Sequence, residues 1–132
     1  MLTKGILNPN LARVLAELGH KDTLVLCDAG LPVPSGTERI DLAWKPGEPA
    51  YLDVLPEILE HIVVEAAVLA SEIKSVSPQF HQKILDLLPE GTPVEYVDHV
   101  DFKRRTSEAR AIVRTGEFTP YVSVILVSGC AY

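Results

Sequence analysis

Apolar residues along this chain keep two rhythms in turn, and the switches between them outline the elements. Leu11, Val14, Leu15 and Leu18 recur at helical spacing behind Asn8-Pro9, an N-cap side chain followed by a proline whose missing N–H is harmless in a first turn. Gly19 is placed to end that helix as its C′ glycine. Residues 23–27 form a short unbroken apolar run that suits a strand covered on both faces. It breaks at Asp28-Ala29-Gly30, and a proline-rich loop fills residues 31–36. Residues 39–43 read as a second strand and 44–49 as turn. A second helix spans residues 52–61, with its start near Asp53 so that Pro56 falls in the first turn, where a proline loses no intrahelical bond. Residues 63–70 read as a strand. Ser77-Pro78 repeats the cap-plus-proline signal, and Phe80, Ile84, Leu85 and Leu88 supply the stripe of a third helix. A strand at 94–97, a short polar helix at 102–109, a strand at 111–114 and a closing β-branched strand at 121–127 complete the series. Strands alternating with helices predict an α/β fold: a single-domain three-layer sandwich with a largely parallel sheet, residues 1–132 forming one domain.

Composition narrows what such a domain can do. The chain has 132 residues, 47% hydrophobic and 23% charged, enough for one core and too few for a nucleotide domain plus a substrate domain. The formal charge of −6 argues against a nucleic-acid partner, since the one basic cluster, Lys103-Arg104-Arg105, has no aromatic platform beside it. Two cysteines make no disulfide framework, and Cys27 lies in an apolar run where a buried thiol is the ordinary reading. The start has no long apolar stretch behind Lys4, and no run approaches the roughly 18 apolar residues that span a bilayer. A cytoplasmic domain with no membrane partner is expected.

In α/β sheets ligands sit beyond the carboxyl ends of the strands, which singles out Asp28 after the first strand and His99 after the strand at 94–97. His20 follows the first helix, and Arg114 and Glu117 flank the loop after the strand at 111–114. Plainer readings stand beside each. A helix dipole alone favours a histidine at its C-terminus, a strand-end aspartate is often a turn former, and a strand-end arginine and glutamate often pair. His61 and His81 sit on helices, where a solvated face is the default. The chain lacks Gly-x-Gly-x-x-Gly, a Walker loop, Cys-x-x-Cys, His-Glu-x-x-His and a Gly-x-Ser-x-Gly elbow. The spacing of His20, Asp28, Glu72, His99 and Glu117 suggests no metal site. From pattern alone the chain is a small α/β domain with a His/Asp site.

Ordered blocks of sequence carry the reading further. Gly5-Ile6-Leu7-Asn8, Leu18-Gly19-His20, Cys27-Asp28-Ala29-Gly30-Leu31-Pro32-Val33-Pro34, Arg39-Ile40-Asp41-Leu42-Ala43 and Leu52-Asp53-Val54-Leu55 come first. Ala70-Ser71-Glu72-Ile73-Lys74, Ile112-Val113-Arg114-Thr115-Gly116-Glu117, Thr119-Pro120-Tyr121 and Val124-Ile125-Leu126-Val127-Ser128-Gly129 follow. This string resembles the D-ribose pyranase family, within the ribose pyranase and fucose mutarotase superfamily, over essentially the whole chain. The Asp-Ala-Gly-Leu-Pro-x-Pro stretch favours the pyranase branch. The resemblance implies cofactor-free interconversion of β-D-ribopyranose and β-D-ribofuranose in a ring-shaped homo-oligomer, a decamer of two stacked pentamers with sites between neighbours. It assigns the proton donor to His20 and sugar binding to Asp28, His99, Tyr121 and the residue at Ser123, with no metal. Where the family has asparagine in Pro-Tyr-x-Asn this chain has Ser123, which keeps one hydroxyl and loses the amide's two-sided reach. That departure leaves a mutarotase or pyranase for another pentose or deoxyhexose as the alternative. A non-catalytic sugar-binding subunit of an uptake system is the non-enzymatic one.

Overall fold

A computed structural model describes all residues from Met1 to Tyr132. Helix α1 (Pro9–Glu17) leads into strand β1 (Thr23–Cys27) and then β2 (Glu38–Asp41). Helix α2 (Tyr51–His61) precedes β3 (Val64–Ala70), and the short α3 (Ile73–Val76) runs straight into α4 (Pro78–Leu87). Strand β4 (Val94–Val97), helix α5 (His99–Arg105) with a 3-10 turn at Thr106–Glu108, β5 (Ala111–Arg114) and β6 (Val124–Ser128) follow. No helix is long and apolar enough to cross a membrane.

The six strands form one sheet in the order β2-β5-β1-β6-β3-β4. The pairs β2–β5, β5–β1 and β3–β4 are parallel, while β6 runs antiparallel to both β1 and β3 in the middle of the sheet. The sheet is therefore largely parallel, as expected, with one reversed strand. That reversal brings the start of β6 to the same end as the carboxyl ends of the other five strands.

Alternation along the strands divides the core in two. Leu24, Leu26, Ala111, Val113, Val124 and Leu126 face the larger cluster, closed by α1, α2 and α4, while Val25, Cys27, Ile112 and Ile125 face the smaller one, closed by Phe102 of α5 and Leu31. These two helical layers around a sheet complete the three-layer sandwich. In β3 the alternation slips. Val64 shares a face with Ala67 and Leu69, not with Val68, because a register shift between Val64 and Ala66 inserts a bulge at Glu65.

Four local expectations need correction. Helix α2 starts at Tyr51, so Pro56 lies inside it and leaves the Leu52 carbonyl without its donor. A proline there costs about 3 kcal/mol. Complete burial of Tyr51, Leu55 and Ile58 offsets it at roughly 1.5–3 kcal/mol per side chain. Gly19 is not a left-handed cap. The chain leaves α1 at Leu18 in extended geometry, and the left-handed residue is Lys21 at φ 71°. The helix expected at 102–109 begins at His99, because the Asp98 carboxylate accepts the Asp101 N–H at 2.8 Å and caps it. Tyr121 lies before β6, in left-handed geometry at φ 62°. That is an uncommon conformation for a non-glycine residue and costs on the order of 1–3 kcal/mol.

Candidate active site

The carboxyl end of the sheet gathers four of the five expected site residues. Asp28 follows β1 directly, and the register that sets Leu26 opposite Val124 puts Ser123 beside it. The Ser123 hydroxyl donates to Asp28 Oδ2 at 2.9 Å and accepts the Asp28 N–H at 3.2 Å. Asp28 Oδ1 accepts the Gly30 N–H at 2.8 Å, an Asx turn. Ser123 is only 3% exposed, and its one proton is committed to the carboxylate. In this chain Ser123 therefore braces Asp28 from beneath.

Asp28 opens onto a cavity of ≈ 430 Å³ that Gly30, Arg114, Glu117, Phe118 and Thr119 also line. Arg114 and Glu117 do not pair with each other. The Arg114 guanidinium donates to the Ala29 carbonyl at 3.1 Å and to both Asp41 oxygens at 3.2 Å, tying the ends of β1 and β2 together. Glu117 gathers the Thr119 hydroxyl at 3.0 Å and the N–H groups of Tyr51, Phe118 and Thr119. The loop carrying it is pressed onto the preceding turn. A Cβ at Gly116 would sit 2.4 Å from the Glu48 carbonyl oxygen, so only glycine fits there. Cys27, fully buried in the smaller core cluster just before Asp28, has its thiol pushed up to about 12 by burial, aided by the neighbouring Asp28 charge. It stays protonated and is no nucleophile.

His99 and Tyr121 occupy the same end of the sheet, with ring centroids 5.0 Å apart, edge to face. Phe102 lies nearly parallel to the imidazole, with ring centroids 6.3 Å apart. The strained Tyr121 backbone is held from below by the Ser77 hydroxyl, which donates to the Pro120 carbonyl at 2.9 Å, and by the buried Val122. Sequence reasoning gave Glu72 no role in the site. It sits in the turn after β3, drawn against β4 by the Ser71 N–H bond to the Val97 carbonyl at 2.7 Å. Its Oε1 accepts the His99 N–H at 3.0 Å. The buried side-chain polar atoms without a partner in this chain are Glu72 Oε2, His99 Nδ1 and the Tyr51 hydroxyl. Left unpaired, such atoms cost about 1–3 kcal/mol each, so each calls for an explanation.

His20 is at the opposite end of the sheet. The Lys21 N–H bonds the Ser128 carbonyl at 2.9 Å, which fixes this turn where β6 finishes and β3 begins. His20 Nε2 lies 2.9 Å from Glu65 Oε2, and Lys21 bonds the other Glu65 oxygen. Lys21 first, and His20 with it, hold the Glu65 carboxyl below the usual carboxylate range. The bulge in β3 aims Glu65 at them, a second residue that sequence reasoning missed. The His20 side chain is 51% exposed beside a concavity of ≈ 510 Å³ shared with His61, Val63, Cys130 and Tyr132. Five residues of β1, at roughly 3.3 Å each, put about 16 Å between this end and Asp28. Asp28 cannot orient His20 of its own chain; Glu65 does. No three His, Cys, Asp or Glu side chains come close enough together to hold a metal ion.

Fold and cleft define a small α/β protein with a carboxylate-bearing pocket at the carboxyl end of its sheet and an imidazole and a phenol packed together at that same end. The chain belongs to the RbsD / FucU transport protein family, which it matches over residues 1–131. Among its relatives, the D-ribose pyranase of Laribacter hongkongensis is 49% identical and that of Bacillus subtilis 47%, each alignment covering 100% of both chains. The solved structure of Bacillus subtilis RbsD complexed with D-ribose superposes with a TM-score of 0.95 at 44% identity, covering 100% of each chain. The fucose mutarotase of Streptococcus pneumoniae in complex with L-fucose superposes at 0.80 with 25% identity, covering 99% of this chain and 100% of that one.

Proposed function

We propose that this protein is a D-ribose pyranase, a cofactor-free isomerase that interconverts the β-pyranose and β-furanose forms of D-ribose. The observation that carries the reading is the full-length match to the ribose-complexed RbsD fold with Asp28, His99 and Tyr121 at one end of the sheet. Exchanging ring size requires the C1–O5 bond to break to an open aldehyde, the chain to rotate, and the C4 hydroxyl to attack C1. Ring opening needs a proton at O5, and histidine, which titrates near neutrality as a residue type, can give it and later take one back from O4. Asp28, preset by Ser123 and Gly30, accepts from a sugar hydroxyl, and Tyr121 and His99 read others. Ribose rings open unaided in water, so the ~10²–10⁴-fold help typical of general acid–base catalysis meets the task without a cofactor.

His20 enters this scheme from a second copy. Because about 16 Å of strand separates it from Asp28, the acid of each site comes from a neighbour whose exposed His20 end docks against the Asp28 end. The assembly is a closed ring, a decamer of two pentamers, working in the cytoplasm. Saturation-transfer NMR on D-ribose tests the activity: the purified protein is expected to accelerate pyranose–furanose exchange, and solvent-rate exchange rejects it. Co-expressed His20→Ala and Asp28→Asn chains test the shared site. His20→Ala alone is expected to be inactive and Asp28→Asn alone strongly impaired at sub-saturating ribose, while the mixed assembly regains activity, since some junctions then hold both native residues. A mixed assembly no more active than its parents would place the acid elsewhere.

Ser123 favours a second reading, a pyranase or mutarotase for another pentose or deoxyhexose. Its committed hydroxyl leaves more room and fewer free donors than asparagine offers. Exchange rates across a panel of sugars separate the two, since only the true substrate shows enhanced exchange.

A further inference from the structure

Ring opening moves two protons, and a single acid accounts for only one of them. As O5 takes a proton, the anomeric O1–H must lose one so that its electrons can form the aldehyde C=O. At reclosure O4 gives up its proton and O1 recovers one. One group therefore serves O5 and then O4, while another takes and returns a proton at O1 alone.

We propose that His99 is this second proton-transfer group and that Glu72 is the residue that positions it; the proposal rests on the pyranase reading above. Glu72 Oε2 is a buried acceptor without a donor, and His99 Nδ1 is a buried ring nitrogen without an acceptor. The two residues are already joined by the His99 N–H bond to Oε1 at 3.0 Å, and in the proposed site a turn of the ring pairs their two orphaned atoms. A carboxylate only accepts, so that pairing puts the imidazole proton on Nδ1 and leaves the Nε2 lone pair for the sugar. Nε2 takes the O1 proton as C1–O5 breaks and returns it as C1–O4 forms, so His99 ends each cycle as it began.

The molecule then carries two His–Glu couples built in opposite senses. Glu65 holds His20 through Nε2 on an exposed turn, which suits a group that must reach two different oxygens. Glu72 holds His99 through its backbone, and the ring packs against both Phe102 and Tyr121, which suits a group serving one oxygen. The titratable groups around His99 are Glu72 and Tyr121 from the elements packed on it and Asp98 and Asp101 from its own helix and cap.

Glu72→Gln and His99→Gln test this in the intact assembly. The amide introduced by Glu72→Gln keeps a carbonyl for the His99 N–H but offers Nδ1 a donor instead of an acceptor. Nitrogen-detected imidazole NMR is expected to show His99 protonated at Nδ1 in the wild type and at Nε2 in Glu72→Gln. His99→Gln is expected to slow ribose exchange by about 10²-fold or more and to change the ribose Kd by less than about tenfold, because glutamine still hydrogen-bonds a hydroxyl. Both variants should lose the low-pH fall in exchange rate that protonation of a base produces, a change that mere loosening of the site does not cause. Wild-type His99 protonated at Nε2 in the ribose complex overturns the proposal, as does His99→Gln exchanging at the wild-type rate. Wild-type protein that leaves exchange at the solvent rate overturns the ribose reading, and the role of His99 with it. A thermal unfolding profile unchanged in Glu72→Gln guards against loss of fold as the cause.

Discussion

The two ends of the sheet handle their polar groups in opposite ways. At the carboxyl end Asp28, Glu72 and Glu117 are each fixed by two or more bonds or by a backbone anchor. Tyr121 is locked in a strained turn there, and all three orphaned buried atoms lie on residues that enter this end from α2, the β3 turn and the start of α5. At the amino end His20, Lys21 and Glu65 form a surface cluster on a bulge. Binding a flexible, uncharged polyol calls for groups whose geometry is settled before the sugar arrives, because each side chain ordered on binding subtracts from affinity. Delivering a proton to two oxygens in turn calls for reach. On the proposed scheme the same sheet supplies both once two copies meet.

Breaking the amino end should have the larger effect. His20→Ala is expected to remove catalysed exchange, a loss of about 10²–10⁴-fold, while leaving the oligomer intact and ribose binding largely in place. Saturation transfer and sedimentation on the same sample check both halves, and a variant that exchanges ribose normally would remove His20 from the mechanism. Asp28→Asn strikes the carboxyl end. A hydrogen bond to a charged group contributes about 1.5–3 kcal/mol, so calorimetry should show ribose affinity falling roughly ten- to a hundredfold. Unchanged affinity would mean that the Asp28–Ser123 couple is only a strut.

Smaller effects sharpen the contrast. Ser123→Ala removes one donor to the half-buried Asp28 carboxylate without touching the sugar directly, and should weaken ribose binding severalfold, read by the same calorimetry. Glu65→Gln should alter the acid limb of stability. The Glu65 carboxyl is held below its usual range by Lys21 and His20, so the unfolded chain takes up its proton first as pH falls. Its contribution is complete above the ordinary carboxylate value of about 4.3 and disappears as pH drops through the depressed one. Thermal melts between pH 6 and pH 3 (roughly the window that the carboxylate values set) should show a steeper decline in the wild type than in Glu65→Gln. Parallel curves would mean that the cluster is too solvated to matter.

Much of the fold could be read from local pattern, because caps, prolines and apolar periodicity act over a few residues. Asn8-Pro9 and Ser77-Pro78 begin helices where the sequence places them, and β1, β4 and β5 coincide with their apolar runs. Local pattern failed where tertiary burial overruled it. Pro56 is tolerated inside α2 because three neighbouring side chains are fully buried, and the bulge at Glu65 has no signature in an otherwise ordinary strand. The site divides along the same line. Asp28 and His99 stood out as strand-end residues, and His20 through Leu18-Gly19-His20, with family resemblance supplying their roles. Glu65, one carboxylate among 18 acidic residues, gave no such signal, and Glu72, though inside the Ala70–Lys74 block, carried no role with it.

By itself, then, the sequence determined the element order and the α/β class, which depend on short-range chemistry, and named candidate site residues through family resemblance. Which of those side chains meet was decided by the sheet. The reversed β6 brings Ser123 across 95 positions to Asp28, while the length of β1 keeps His20 from its own Asp28. These are consequences of strand order and direction, which emerge only when distant segments bury their apolar faces together.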